Sequence, residues 1–389
     1  KHFHNVLCLS KAKGMDINMK KILIVNDLIV GGGVEVILYQ LATYLSKQNY
    51  EVTIATFRGD KKEFYTRFSK NIKYVLLELP IKKNRTHSIF WDAEKVRCKL
   101  YYYCTKLRLS HKYDICIALK EGYCMKYVEK LRTKQKYAWI HTDYTYAYWT
   151  QWVYGNNANE LVSMKKFDKV ICVSQAVADS VKKVIGDPGN LTVCYNPINF
   201  KEILYKAKMK SPYQKNKNSI LFVSIGRITS SKNYSMLLQC CEKLVEKYKF
   251  ELWIIGDGEL KDEIEQKIKS LDLNCIKLLG AQENPYAILK QADCFISSAY
   301  YESYGLAIQE ALILGVPVVA TSCPAIEELW DDRFGLLVEN NLESLTEGME
   351  VVLKKPGILK KYQENIYKFY QREKLWEPRM QKICNLWEK

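Results

Sequence analysis

Short apolar runs alternate along the chain with stretches in which apolar side chains recur every three or four positions. The stretch 34–46 shows the second pattern, with Val34, Ile37, Leu38, Leu41 and Leu45 on one helical face. The apolar runs predict strands at 21–26, 51–57, 74–79, 115–119, 137–141, 170–174, 191–195, 220–225, 251–255, 276–279, 294–297 and 316–320. This alternation is typical of parallel sheets with helices on both faces.

The helical periodicity in the second half of the chain predicts further helices at 234–248, 260–271, 285–291, 306–314 and 376–387. Between the halves, proline in Asn196-Pro197-Ile198 ends a strand, and a lysine-rich polar stretch follows until a new strand begins at Ser219. We therefore predict two doubly wound α/β domains, residues 19–198 and 199–373. Residues 1–18 precede the natural-looking start at Met19 and are expected to be an extension outside the fold.

Composition narrows the class of protein. The 389 residues are 48% hydrophobic and 26% charged, as in a soluble globular protein. The sequence contains no apolar run of the roughly 18 residues needed to span a membrane. Its thirteen cysteines form no C-x-x-C pair, which favours reduced, buried thiols and a cytoplasmic location over disulfides or a metal site.

The net charge of +16 is distributed unevenly. Residues 1–195 hold 32 Lys and Arg against 17 Asp and Glu, whereas residues 196–389 hold 27 against 26. The excess indicates either a lysine-rich solvated surface or a face that meets an anionic membrane or lipid diphosphate. The basic, aromatic segment 89–109 is open to the same two interpretations, a surface-lying helix or an ordinary amphipathic one. Together they lead us to expect peripheral attachment to the inner face of the cell membrane.

The stretch Glu302-Ser-Tyr-Gly-Leu-Ala-Ile-Gln-Glu310 follows a predicted strand and enters a predicted helix. Free amides and the helix dipole make such a helix start an anion site. One of the two carboxylates could then face a sugar while the other accepts hydrogen bonds from a ribose. The alternative is an ordinary helix with one capping and one solvent-facing glutamate.

Two cations lie five residues apart in Gly226-Arg227-Ile-Thr-Ser-Ser-Lys232, another strand-to-helix loop. A guanidinium fork and an ammonium point charge both suit a diphosphate. The alternative is two solvated loop cations.

Gly31-Gly32-Gly33, after the first strand, would let a ligand approach the backbone closely. The glycines do not form a dinucleotide fingerprint, because Val36 stands where it needs glycine and Arg58 follows the second strand where it needs an acid. His141 directly follows a strand and is expected to point at the ligand cleft, although a lone histidine is also common as a structural residue.

These motifs together resemble glycosyltransferase family 4, the retaining enzymes of GT-B fold. Glu302 to Glu310, with Tyr304-Gly305-Leu306 inside, matches the family's E-x7-E motif, and Arg227 with Lys232 matches its diphosphate clamp. Gly256-Asp257-Gly258 and Asn196-Pro197-Ile198 also resemble the family. The resemblance implies two Rossmann-like domains facing across a cleft, the first on the acceptor side and the second binding the nucleotide sugar, with a C-terminal helix (374–389) packed back on the first.

The resemblance also implies roles for particular residues. Arg227 and Lys232 would stabilise the leaving diphosphate, Glu302 would hold donor-sugar hydroxyls, and His141 would touch the transferred sugar; these four are the expected catalytic residues. Glu310 would bind the ribose hydroxyls. The full expected donor-binding set is Gly32, Gly33, Arg227, Lys232, Gly280, Ala281, Gln282, Glu302, Tyr304, Gly305, Leu306 and Glu310.

The expected activity is transfer of a hexose, with retention, from a UDP-sugar to a glycan or polyprenyl-diphosphate-linked saccharide in bacterial surface polysaccharide or capsule synthesis. No metal and no cofactor are expected, and no nucleic acid. The alternatives are a nucleotide-sugar epimerase of GT-B fold and, from the pI of 9.1 and the 28 tyrosines, a basic nucleic-acid-binding protein. A phosphorylase would need a pyridoxal-binding lysine context, which the sequence lacks.

Overall fold

The computed structural model describes residues 19–29, 32–77, 105 and 107–388. These residues divide into two compact units. The first comprises the chain up to Trp139 together with Ser163–Lys169, and the second comprises Ile140–Val162 and the chain from Val170 onward. The predicted domain limits and the predicted packing of the C-terminal helix on the first domain stay predictions.

The first unit is built on parallel strands in the order β3-β2-β1-β4-β5. Their bounds are β1 Lys20–Asn26, β2 Tyr50–Thr56, β3 Lys73–Leu76, β4 Ile115–Ala118 and β5 Gln135–Ile140. The helices that begin after β1, β2 and β4 are α1 Gly33–Ser46, α2 Lys61–Arg67 and α3 Tyr123–Val128. Residues 22–25 of β1 are completely buried, as expected for a parallel sheet covered on both faces.

The second unit opens with short elements and continues into a second sheet. The short elements are α4 Gln151–Tyr154, α5 Asn157–Met164, α6 Gln175–Val184, α7 Phe200–Lys206 and the parallel strands β6 Lys169–Cys172 and β7 Leu191–Val193, although the ends of α5 and β6 belong to the first unit. The sheet has the order β10-β9-β8-β11-β12-β13, with β8 Ile220–Ile225, β9 Phe250–Ile255, β10 Ile276–Gly280, β11 Cys294–Ser297, β12 Val318–Thr321 and β13 Gly335–Val338.

Eight helices follow the strands of this second sheet within the described residues. They are α8 Tyr234–Val245, α9 Lys261–Ser270, α10 Tyr286–Leu289, α11 Leu306–Ile313, α12 Pro324–Glu327, α13 Leu342–Lys354, α14 Gly357–Phe369 and α15 Glu377–Cys384. Helices α8 and α13 bury Leu237, Leu244 and Met349 in one cluster with Phe222 and Leu252 of the sheet. This core fixes the strands and therefore the positions of the loops at their carboxyl ends.

The architecture confirms the predicted fold class of two Rossmann-like parallel sheets with helices. Every strand predicted from an apolar run is present to within a few residues, whereas β13 was missed. Its first residue is glycine because a Cβ at Gly335 would lie 1.9 Å from the backbone oxygen of Val318 in the neighbouring strand. The helix predicted at 285–291 is shorter, Tyr286–Leu289.

Two of the sequence predictions concern residues largely outside the described ranges, namely the extension 1–18 and the basic aromatic segment 89–109. Of that segment, only Thr105 and residues 107–109 are described. Among the helices that the structure does describe, none has the length and apolar character needed to cross a membrane.

Candidate active site

Two candidate residues of the second unit, Lys232 and Glu302, lie where its strand order reverses. In the order β10-β9-β8-β11-β12-β13, the chain proceeds outward in opposite directions from β8 and β11, which pair side by side. Loops that leave the carboxyl ends of two such strands diverge and leave a crevice, where open α/β sheets bind their ligands. Lys232 lies in the loop after β8 and Glu302 in the loop after β11.

The loop after β8 carries the predicted phosphate clamp. Arg227 is exposed at its start, and a 3₁₀ turn over Ser230–Lys232 leads into Asn233, whose φ of 49° is left-handed. The Lys232 side chain passes over Gly226, where an added Cβ would lie 3.0 Å from the lysine Cε. Glycine at 226 therefore leaves room for the ammonium to reach toward the crevice.

The motif Gly256-Asp257-Gly258 packs against the backbone of this loop. A Cβ at Gly256 would lie 1.9 Å from the oxygen of Gly226, and one at Gly258 would lie 2.3 Å from the oxygen of Ile228. The Ile228 amide donates to the oxygen of Asp257 at 2.9 Å. The glycines are therefore required for close backbone packing, which determines the position of the clamp.

Lys232 and Glu302 form an ion pair, with the ammonium donating to Glu302 Oε1. Their side chains are only 21% and 16% exposed. Two further hydrogen bonds join the two loops: Ser298 Oγ donates to the oxygen of Lys232 at 2.9 Å, and the Tyr300 amide donates to the oxygen of Ser231 at 2.8 Å. The structure thus brings together a cation and a carboxylate that the sequence placed 70 residues apart.

Helix α11 begins directly after this pair. Its N-cap, Gly305, has a left-handed φ of 73°, and a Cβ there would lie 2.5 Å from Ile326 Cδ1. No side chain caps the helix. The first amides of α11, from Leu306 onward, are therefore left without a side-chain acceptor, as in an anion-binding helix start.

Glu310 lies in the second turn of α11 and is partly buried. The Tyr286 hydroxyl donates to its Oε1 at 2.9 Å. Burial raises the pKa of Glu310 to about 7, against a smaller lowering by that hydrogen bond. The interpretation of Glu310 as an ordinary solvent-facing glutamate is therefore disfavoured.

The predicted base-contacting loop follows β10. Gly280 has a φ of 67°, which favours glycine, and its oxygen accepts from the Gly256 amide at 2.9 Å. Gln282 is fastened by a hydrogen bond from its Nε2 to the oxygen of Leu279, while Ala281 is exposed. The loop is therefore tied to the same glycine that supports the phosphate clamp.

His141 directly follows β5 and is half-buried. It begins the segment in which the Tyr146 ring stacks on Tyr301, with centroids 5.1 Å apart. Tyr301 is the residue before Glu302, so the structure places the His141 segment beside the carboxylate loop. Its predicted contact with the transferred sugar stays a prediction.

Gly32 and Gly33 belong to the first unit. Gly32 precedes α1 with an extended backbone, its oxygen accepts from the Val36 amide at 3.2 Å, and Gly33 is the first helical residue. Their predicted role toward the donor also stays a prediction.

Tyr304 takes part in a network that sequence reasoning missed. Its buried hydroxyl accepts a hydrogen bond from Arg379 of α15, which also donates to the oxygen of Asn196 at 2.7 Å. Arg379 lies over the rings of both Tyr304 and Tyr195. The residues stand too far apart in sequence for any local pattern to reveal the contact.

Glu328 extends this network to the start of α6. Its carboxylate accepts from the amides of Gln175 and Ala176 at 2.9 and 3.0 Å and from the Tyr195 hydroxyl at 2.7 Å. Ser174 Oγ donates to the oxygen of Ser303 at 2.8 Å. The segment between Glu302 and α11 is therefore held from two sides.

Metal-binding groups are not clustered in the described ranges: no set of three or more His, Cys, Asp or Glu side chains there could hold an ion. Of the two predicted clamp cations, Lys232 is paired with Glu302 and Arg227 is exposed at the start of the same loop.

Comparison with protein families assigns both parts of the chain. Residues 31–202 match Glycosyltransferase Family 4, and residues 206–369 match Glycosyl transferases group 1. The chain belongs to glycosyltransferase family 4, with the GT-B fold. The family expected from its motifs is thus confirmed.

Individual relatives differ in how much of their length is matched. The chain is 40% identical over 109 residues to an uncharacterized glycosyltransferase of Methanocaldococcus jannaschii, covering 28% of this chain and 27% of that protein. It is 31% identical over 219 residues to the Campylobacter jejuni N-acetylgalactosamine-N,N'-diacetylbacillosaminyl-diphospho-undecaprenol 4-alpha-N-acetylgalactosaminyltransferase, covering 53% of this chain and 58% of that one. The chain thus spans about a quarter and just over half of these relatives' length.

Solved structures extend the likeness of fold over nearly the whole chain. Anabaena HepE in complex with UDP and glucose superposes with a TM-score of 0.74 at 17% identity, covering 94% of this chain and 98% of HepE. At that identity the likeness establishes the fold alone.

Proposed function

We propose that this chain is a retaining glycosyltransferase that moves a sugar from a nucleotide-diphosphate donor, a UDP-sugar, to a glycan or lipid-linked saccharide. One observation carries the proposal: the Lys232–Glu302 pair lies at the reversal point of the second sheet, beside the uncapped start of α11. A cation, a carboxylate and free amides at one place suit a ligand that joins an anionic diphosphate to a polyhydroxylated ring.

The donor diphosphate would lie between the cations of the β8 loop and the amides at the start of α11. Without donor, Glu302 compensates the charge of Lys232. When a diphosphate binds, the Lys232 ammonium donates hydrogen bonds to its phosphate oxygens as well. Glu302 can then accept hydrogen bonds from hydroxyls of the transferred sugar. Glu310 would bind the ribose hydroxyls, and residues 280–282 would lie near the base.

In the proposed reaction, the bond between the anomeric carbon and the diphosphate oxygen breaks while the acceptor oxygen bonds to the same face of that carbon, so that the configuration is retained. Negative charge then grows on the leaving diphosphate, where Arg227, Lys232 and the amides of α11 stabilise it. Such preorganised donors contribute on the order of 3 kcal/mol each. The leaving phosphate oxygen takes the proton of the acceptor hydroxyl, and His141 would contact the transferred sugar.

We propose that these cations act without a metal ion and that no cofactor takes part. Activity that persists in excess EDTA would support this part of the proposal, and loss of activity restored by a divalent ion would contradict it. A surface polysaccharide role, a hexose as the transferred group, and cytoplasmic or peripheral membrane localisation belong to the same proposal. The undecaprenol-linked substrate named for the Campylobacter relative supports a lipid-linked acceptor, and the UDP and glucose in HepE support the donor.

The test begins with thermal-shift screening of UDP-sugars, followed by transfer assays of Lys232→Gln. Removing this charge is expected to lower kcat by about 100-fold or more. Lys267→Gln is the matched control, because Lys267 is ion-paired with Glu263 on α9 but is not one of the candidate site residues. Full turnover by Lys232→Gln would refute the site assignment. If the chain converts the nucleotide sugar to its epimer in the absence of an acceptor, the transferase proposal is wrong and the epimerase alternative is favoured.

A further inference from the structure

A stacked pair of tyrosines lies next to the candidate catalytic carboxylate. The rings of Tyr146 and Tyr301 are 5.1 Å apart between centroids, and their planes differ by 6°. Tyr301 directly precedes Glu302, and Tyr146 lies five residues after His141. The pair joins the two segments that carry these candidate residues, and the motifs of the sequence assign it no role.

Tyr146 is presented to solvent on a fixed turn. It is 51% exposed, yet the backbone around it is held by the buried Asp143, whose carboxylate accepts from the Thr145 amide at 2.9 Å. The backbone carbonyl oxygen of Asp143 accepts hydrogen bonds from the amides of Tyr146 and Ala147 at 3.3 and 3.0 Å. An exposed aromatic ring on an ordered turn loses little conformational freedom when it binds a ligand.

Tyr301 forms the inner layer of the pair. Burial raises the pKa of its hydroxyl, against a smaller lowering by the Ser231 side chain. The neighbouring Tyr300 amide donates to the oxygen of Ser231 at 2.8 Å. Because Ser231 directly precedes Lys232, the stacked pair is fastened to the loop that carries the predicted phosphate-binding ammonium.

An exposed aromatic face next to a carboxylate has the chemistry that recognises a sugar ring. The C–H bonds on one face of a pyranose pack against the negative face of an aromatic ring, while its hydroxyls point sideways to polar groups. Glu302 is assigned to the donor sugar, so a ring lying on Tyr146 would be the next one, that of the acceptor.

We propose that Tyr146, backed by Tyr301, is a platform for a pyranose ring of the acceptor saccharide. The proposal rests on the transferase function proposed above and names the residue that would recognise its second substrate.

The test is binding of octyl glycosides of N-acetylgalactosamine, N-acetylglucosamine, galactose and glucose to the UDP-saturated full chain, with 1-octanol as the probe lacking a sugar. At least one glycoside should bind more tightly than octanol. Tyr146→Ala should weaken that binding about tenfold, and Tyr146→Phe and Tyr146→Trp should restore it to within about threefold. Tyr300→Ala is the matched control, since Tyr300 is 52% exposed and outside the stacked pair.

Three results would overturn the platform: glycosides that bind no better than octanol, unchanged glycoside binding by Tyr146→Ala, or equal weakening by Tyr300→Ala. An equal loss of affinity for UDP in Tyr146→Ala would also overturn it, because the ring would then serve the donor or the fold. Transfer from UDP-sugars is measured separately. Tyr146-dependent glycoside binding without any turnover would refute the transferase function while leaving the saccharide platform in place.

Discussion

Replacing Glu310 by glutamine should change the pH dependence of stability in a defined direction. Burial raises the pKa of Glu310 in the folded chain from 4.5 to about 7. A carboxyl group whose pKa is raised by folding contributes stability that is fully present below pH 4.5 and is lost as the pH rises through about 7. Glutamine does not titrate, so Glu310→Gln should lack this loss.

The magnitude follows from the two pKa values. A tenfold change in an acid constant corresponds to about 1.4 kcal/mol, so a rise from 4.5 to about 7 corresponds to roughly 3 kcal/mol at most. Between pH 5 and pH 8, the parent chain should therefore lose about 2–3 kcal/mol of unfolding free energy relative to Glu310→Gln. The Tyr286 hydroxyl can donate to the amide oxygen as it does to the carboxylate, which limits other consequences of the change.

The measurement is urea unfolding of both chains at pH 5, 6, 7 and 8 and constant ionic strength. Glu350→Gln is a matched control, because Glu350 also accepts from a tyrosine hydroxyl, that of Tyr248 at 2.9 Å. The pKa of Glu350 is lowered instead, chiefly by Lys354. The difference in free energy of unfolding between Glu350→Gln and the parent chain should therefore stay constant over this pH range. A flat curve for Glu310→Gln as well would refute the argument that burial holds this carboxyl near pH 7.

The same titration bears on the proposed donor binding. If Glu310 accepts hydrogen bonds from both ribose hydroxyls, binding requires the carboxylate, and affinity for UDP should rise as the pH passes through about 7. Glu310→Gln should bind UDP more weakly and should lack the part of the pH dependence that Glu310 contributes; the terminal phosphate of UDP, whose second pKa is about 6, affects both chains alike.

Two further predictions concern the support of the site. Gly256→Ala should destabilise the chain by about 3 kcal/mol or more, because its Cβ would meet the oxygen of Gly226 at 1.9 Å and its φ is 149°. Thermal unfolding checks this, with Gly357→Ala as the control because a Cβ there meets nothing within 4 Å. Equal stability of the two variants would contradict the prediction. Arg379→Met should lower the free energy of unfolding by about 1–3 kcal/mol, because the buried Tyr304 hydroxyl loses the hydrogen bond that Arg379 donates to it. It should also raise the KM for the nucleotide sugar more than it lowers kcat. An unchanged KM would show that this network does not position the loop.

The sequence by itself determined the strands, most helices, the fold class and the family. Runs such as 220–225 and 294–297 are buried on both faces of a parallel sheet, so their apolar character is visible without knowledge of their neighbours. The glycines at 226, 256 and 305 are equally visible, and the structure explains them, in that order, by the passage of the Lys232 side chain, by close backbone approach and by a left-handed φ. Strand β13, which begins with glycine, was missed.

Only the tertiary structure decided how the candidate residues relate to one another. The sequence assigned Lys232 to phosphate and Glu302 to sugar separately, and the structure pairs them across the reversal point of the sheet. Arg379 reaches Tyr304 from the C-terminal helix, and burial sets the pKa of Glu310. The physical reason is range: backbone preference and apolar periodicity act within a few residues, whereas ion pairing, burial and ring stacking depend on distances in space between residues far apart in the chain.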